Sequence, residues 1–112
     1  MKLKEIIEKL NLEIRCGANK LDREINSGYA SDLLSDVIAN TNKGDLWITL
    51  QVHQNIVAVA GMKELSGIVI INGREPEEET VKRAESENIP IMVSKMPAFE
   101  LIGKLYSLGI SG

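Results

Sequence analysis

The run Ile68-Val69-Ile70-Ile71 constrains this chain more than any other feature in it. Ser66-Gly67 closes it off on one side and Asn72-Gly73 on the other. Four β-branched apolar residues are too few for a core helix, and they lack the polar alternation of a strand wetted on one face. They read as a strand buried on both faces, which demands a helix layer above and another below.

Helical and extended patterns alternate on either side of that strand. Leu3, Ile6, Ile7 and Leu10 recur at helical spacing, and Asn11 stands where a helix stop belongs. Leu12 to Arg15 alternates like a short strand, Gly17 to Lys20 is a turn, and a second extended segment runs around Arg23 to Tyr29. Ser31 or Asp32 is placed to cap a helix carrying Leu33, Leu34, Val37 and Ile38. Asp45 to Leu50 reads as a strand and Asn55 to Met62 as a small-residue helix. After the buried run, Pro76 and three glutamates open a helix that lasts to about Glu87, with Val81 and Ala84 facing inward. Ile89 to Val93 is a further strand. Pro97 starts a last helix with Phe99, Leu101, Ile102, Leu105 and Leu108. Short connections between alternating strands and helices imply parallel strands and crossover helices. The expected fold is α/β: one domain over residues 1–112, a three-layer sandwich with a mainly parallel sheet.

Composition narrows the function classes. The net charge is -3 with both signs interspersed, so no basic patch points to nucleic acid. One Phe and one Trp offer few stacking platforms. Cys16 is the only cysteine, which excludes an internal disulfide and paired-cysteine metal or redox motifs; it reads as a small, semi-buried residue near a strand end. No stretch has the length of a membrane span or a signal-peptide apolar segment, so a cytoplasmic location without membrane contact is expected.

Catalytic signatures are missing. The one Gly-Lys, Gly103-Lys104, is followed by Leu105 and lies in a helical pattern, so it is not a phosphate loop. Gly-x-Gly-x-x-Gly and Gly-x-Ser-x-Gly are absent. His53 has no second His, Cys or carboxylate at ligand spacing and no evident activating partner. No enzyme activity, metal or cofactor is expected.

In a parallel sheet, ligands sit beyond the carboxyl ends of the strands. Three such ends are legible: Thr49 to Asn55, Asn72 to Glu75, and Ser94 to Met96. Thr49, Gln51, His53, Asn72, Gly73 and Arg74 are the candidate ligand contacts, with hydroxyl and amide groups orienting an anion and Arg74 supplying charge. Helix N-terminal amides would add to them. The same residues also serve as ordinary solvated turns, where Asn and Gly need no ligand to explain them. A separate apolar excess near Met92, Met96, Phe99 and Tyr106 is either core or an interaction surface.

Lys4 to Glu13 followed by Leu21-Asp22-Arg23-Glu24-Ile25 resembles the start of the N-terminal domain of HPr kinase/phosphorylase. The later part, with Leu46 to Thr49, the loop through Asn55, the helix to Gly61 and Ile68 to Gly73, resembles the DRTGG domain family. Where the family has Thr-Gly-Gly this chain has Ile71-Asn72-Gly73, and the Asp-Arg pair aligns with Val52-His53. The resemblance implies an α/β sandwich similar to the N-terminal domains of Mur ligases. It also implies a regulatory or oligomerising role, since such domains accompany CBS domains, phosphotransacetylases and cobyrinate-synthase-like domains. The kinase's catalytic phosphate loop lies in a separate domain with no counterpart in these residues, so a kinase label does not transfer. The expectation is a non-catalytic, homodimeric regulatory module that senses a small anionic metabolite or nucleotide. The alternative is a pure interaction or oligomerisation module acting on a partner enzyme with no small ligand.

Overall fold

The computed structural model describes residues 1–112. Five strands form one sheet: β1 (Glu13–Cys16), β2 (Gly28–Ala30), β3 (Leu46–Thr49), β4 (Gly67–Ile70) and β5 (Ile91–Val93). Five α-helices cover it: α1 (Leu3–Leu10), α2 (Leu34–Asn40), α3 (Asn55–Lys63), α4 (Glu78–Glu87) and α5 (Ala98–Ser107). The strand order is β1-β5-β4-β3-β2. β2, β3, β4 and β5 are parallel, and β1 joins β5 antiparallel.

The topology explains the layers. From β2 to β5 the chain moves one neighbour at a time in one direction. Crossovers of equal hand then all land on the same face. Val37 of α2, Ile56 and Ala60 of α3 and Ala84 of α4 accordingly share one core with Trp47, Ile68, Ile70 and Ile91 of the sheet. Leu3 and Ile6 of α1 and Leu101 and Leu105 of α5 share the other core with Leu46, Ile48, Val69 and Met92. Successive strand residues alternate between the two cores, as the period of two requires. The expected three-layer α/β sandwich with a mainly parallel sheet is what the chain forms. No helix is long and apolar enough to cross a membrane.

Several local expectations shift. The second extended segment is confined to Gly28–Ala30, and residues before it contribute only an isolated bridge between Lys2 and Glu24. Val81 and Ala84 face the core as expected, Val81 partly buried, and Thr80 joins them fully buried on α4. Its hydroxyl donates to the Val52 carbonyl at 2.7 Å. Cys16 is fully buried rather than semi-buried. The apolar excess near the chain's end divides: Met92 is core and Met96 partly buried, whereas Phe99 and Tyr106 stand in solvent at 92% and 67% exposure.

Candidate functional site

The carboxyl ends of β2, β3 and β4 lie side by side, and Asp32 ties the first two together. It follows β2 by two residues, and its Oδ1 accepts from Thr49 Oγ1 at 2.8 Å and from the Leu50 amide at 2.7 Å. Neither Ser31 nor Asp32 caps α2: its N-cap is Leu33, with no side-chain cap, and Ser31 Oγ accepts only from the Leu33 amide at 3.2 Å. Thr49 is buried and uses both of its capacities, since its hydroxyl also accepts from the Gln51 amide at 3.1 Å. Gln51 closes the bracket by donating Nε2–H to the Asp32 carbonyl at 3.0 Å.

The third loop is joined by Arg74. Its Nη1 reaches across to the Leu50 carbonyl at 2.6 Å while the residue stays exposed. Asn72 and Gly73, both in left-handed conformations, make the turn that permits this. Their amides are not free for a ligand: Asn72 donates to the Met96 carbonyl at 3.0 Å and Gly73 to the Ser94 carbonyl at 2.8 Å. His53 is exposed, and its Nδ1 accepts from the Asn55 amide at 3.1 Å.

Five of the six candidate residues thus gather around the Leu50 and Ser94 loops, with His53 at the start of α3. What they present outward is one guanidinium, one side-chain amide and one imidazole. The first turn of α4 carries Glu78 and Glu79, which suit the helix dipole and pair with Lys82 at 3.8 and 3.7 Å. None of the six lines the cleft at the other end of the sheet, about 640 Å³, walled by Arg23, Gly44, Gly61, Ser66 and Ile89. There Arg23 donates to the Leu65 carbonyl at 3.4 Å and the Asn88 carbonyl at 3.3 Å, holding the segments that follow α3 and α4.

Two residues of the carboxyl-end network escape sequence reasoning. Asp32 reads as a helix cap until the β2–β3 register places it over Thr49. Arg15 of β1 grips Glu75 with both arms, Nε to Oε1 at 2.6 Å and Nη2 to Oε2 at 2.8 Å, and so anchors the β4–α4 loop from the far edge. Sixty residues separate that pair, and no local pattern links them. The guanidinium holds the Glu75 carboxyl below its ordinary range.

No family model matches the chain, and no curated protein matches it by sequence. Among solved structures, the fold is similar to the crystal structure of the CBS and DRTGG domains of the regulatory region of Clostridium perfringens pyrophosphatase, complexed with its activator diadenosine tetraphosphate. The TM-score is 0.72 at 16% identity over 90% of this chain. The match spans 44% of that structure's chain. That likeness supports a DRTGG-like fold.

Proposed function

We propose that this chain is a non-catalytic regulatory module that senses a small anionic metabolite or nucleotide at the carboxyl ends of β3 and β4. It is a counterpart of the domain that opens HPr kinase/phosphorylase, acts in the cytoplasm and works as a homodimer. The observation that carries the reading is the exposed Arg74 guanidinium, set on the Leu50 carbonyl where three strand-end loops meet. An anion arriving there exchanges a neutral carbonyl for a charged acceptor, which strengthens the guanidinium's hydrogen bonds. The loops would respond together, because Asp32 and Gln51 link them. Support also comes from the similar pyrophosphatase region, whose structure holds a nucleotide activator.

Thermal denaturation in the presence of mononucleotides, dinucleoside polyphosphates and acyl phosphates tests the reading. A ligand at a hundred times its dissociation constant adds about 2.7 kcal/mol. The expected result is a stabilising hit that Arg74→Ala abolishes while changing the unliganded stability by no more than about 0.5 kcal/mol. A hit untouched by Arg74→Ala moves the site elsewhere. No hit across the set favours the alternative, a docking module for a partner enzyme, whose specific support is the exposed aromatic pair Phe99 and Tyr106.

A further inference from the structure

Eight large apolar side chains are left exposed by the fold, and three of them share one face of α5: Phe99, Ile102 and Tyr106. Their spacing of three and four residues is that of a helix-packing seam. The opposite face already sends Leu101 and Leu105 into the core. A helix lying on a globular core needs one apolar stripe, and α5 has two. Gly103 sits inside the outer stripe, one helical turn from Phe99. A Cβ there would meet nothing within 4 Å. Nothing inside the protein therefore requires glycine at this position, although glycine is unfavourable in a helix interior. The missing side chain matters only to something approaching from outside.

We propose that the outer face of α5 binds a second copy of this chain, the two helices packing antiparallel about a two-fold axis between Ile102 and Gly103. This rests on the homodimeric part of the reading above and assigns its surface. The register follows from the residues. An axis at that point sets Phe99 against the partner's Tyr106 at both ends and Ile102 against the partner's Gly103 at the crossing, where the bare backbone permits close approach. The charges fit the same symmetry. Glu100 and Lys104 pair within the helix at 3.7 Å, and the two-fold brings each Glu100 beside the partner's Lys104. A partner of single charge sign would meet repulsion at one of the two, whereas a second copy meets it at neither.

The area is adequate. Aromatic side chains bury roughly 150–250 Å² each, so the stripe supplies about half of the roughly 800 Å² per partner found in standard interfaces. The flanks extend it: a groove of about 750 Å³ between α5 and the end of α1, walled by Lys9, Leu10 and Ser107, lies along one side. The edge strand β2, against Ile102 and Tyr106, lies along the other.

Sedimentation of the full chain from about 1 to 200 μM, a range that resolves micromolar association, tests the proposal. Phe99→Glu and Gly103→Arg change solvent-facing positions, and circular dichroism checks that each still folds. The wild type should dimerise, and each variant should weaken association at least about tenfold, the effect of losing one central contact. Gly103→Cys should cross-link to itself under mild oxidation, while Lys82→Cys on the opposite layer should not. A wild-type dimer indifferent to both variants, with no Gly103→Cys cross-link, overturns the α5 face and leaves the homodimeric reading standing. A monomer across the whole range overturns both. Neither result touches ligand sensing, which the Arg74 experiment decides.

Discussion

Asp32, just past the end of β2, and Thr49, the last residue of the neighbouring β3, lie seventeen residues apart and share a hydrogen bond of 2.8 Å that fastens the β2–α2 loop to the end of β3. The same carboxylate oxygen takes the Leu50 amide at 2.7 Å. Loops at strand ends are the mobile part of such a fold. Here one exposed carboxylate satisfies a buried hydroxyl and a backbone donor together.

Removing that carboxylate should therefore cost more than a surface position normally does. Asp32→Ala leaves the buried Thr49 hydroxyl and the Leu50 amide without their acceptor, at about 1–3 kcal/mol. Asp32→Asn keeps an acceptor and loses the charge, so about half of that loss is expected. Thr49→Val takes away the hydroxyl as well as its need for a partner and should cost only about 1 kcal/mol. Urea midpoints of the three variants rank them. A loss below about 0.5 kcal/mol for Asp32→Ala, the ordinary range for a surface change, would show that water replaces the carboxylate without penalty.

The Arg15–Glu75 pair gives a pH signature. The Arg15 guanidinium lowers the Glu75 carboxyl below its ordinary value in the folded state. A depressed carboxyl contributes stability that is present above its unfolded pKa, near 4.3, and is lost as pH falls through the folded value. Both side chains are partly solvated, so the contribution is that of a surface pair with bidentate geometry, up to about 1 kcal/mol. Arg15→Gln should lower stability by that amount at pH 7 and show less dependence than the wild type as the pH falls from about 5 to 3. Parallel pH curves for the two chains would mean the pair is a contact without energetic weight.

How much of this was legible beforehand depends on the range of the interaction. The buried strand Ile68–Ile71 needed only its composition, and the alternation around it fixed the layers because period and length are local properties. Thr49, Asn72 and Gly73 were legible as strand-end residues for the same reason. The bond from Asp32 to Thr49 was not, since Asp at that place is equally a helix cap and only the β2–β3 register decides between them. Phe99 misled in the other direction: it sits at a helical apolar position, yet the stripe that reaches the core is the one through Leu101 and Leu105. A pattern with two apolar faces does not say which one the sheet receives.

Arg23 should prove structural rather than catalytic or ligand-bearing. It bridges the Leu65 and Asn88 carbonyls, where the negative ends of the α3 and α4 dipoles favour a cation. Arg23→Ala is expected to lose about 1–2 kcal/mol, from the two dipole contacts together. Arg23→Lys keeps the charge but lacks the fork that reaches two carbonyls at once, and should recover about half. Chemical denaturation measures both. Full recovery by lysine would reduce the role to charge alone.

Cys16 offers a readout of opening. Its side chain is buried at the end of β1, and burial, helped by the nearby Glu85 carboxylate, pushes the thiol up to about 11. At pH 8 it is a protonated, inaccessible thiol, which is unreactive. Labelling with a disulfide reagent should proceed only through unfolding, at a rate that rises with urea in step with the unfolded fraction. The sign for stability is the reverse of the Glu75 case: the unfolded thiol ionises first, so stability falls as pH rises above about 8.5. Fast labelling of the native chain would mean that β1 detaches from the sheet edge on its own.

Two glycines with left-handed backbones separate strain from steric exclusion. Gly17 has φ of 73°, and a Cβ built on it would lie 2.6 Å from the Pro90 Cα and 2.8 Å from the Ile89 carbonyl carbon. Those are backbone atoms of the segment leading into β5, which cannot yield without moving the strand. Gly73 has φ of 65° with nothing within 4 Å of the same position. Gly73→Ala should therefore cost only the left-handed backbone penalty, about 1–2 kcal/mol. Gly17→Ala should cost that and the overpacking of the β1–β5 edge besides, another 1–3 kcal/mol or so. Gly73→Asn should fall nearer the wild type, because asparagine tolerates this region. Guanidinium melts of the three variants give the order directly. Equal losses for Gly17→Ala and Gly73→Ala would show that the edge can shift away from Pro90, and that conformation alone demands glycine after β1.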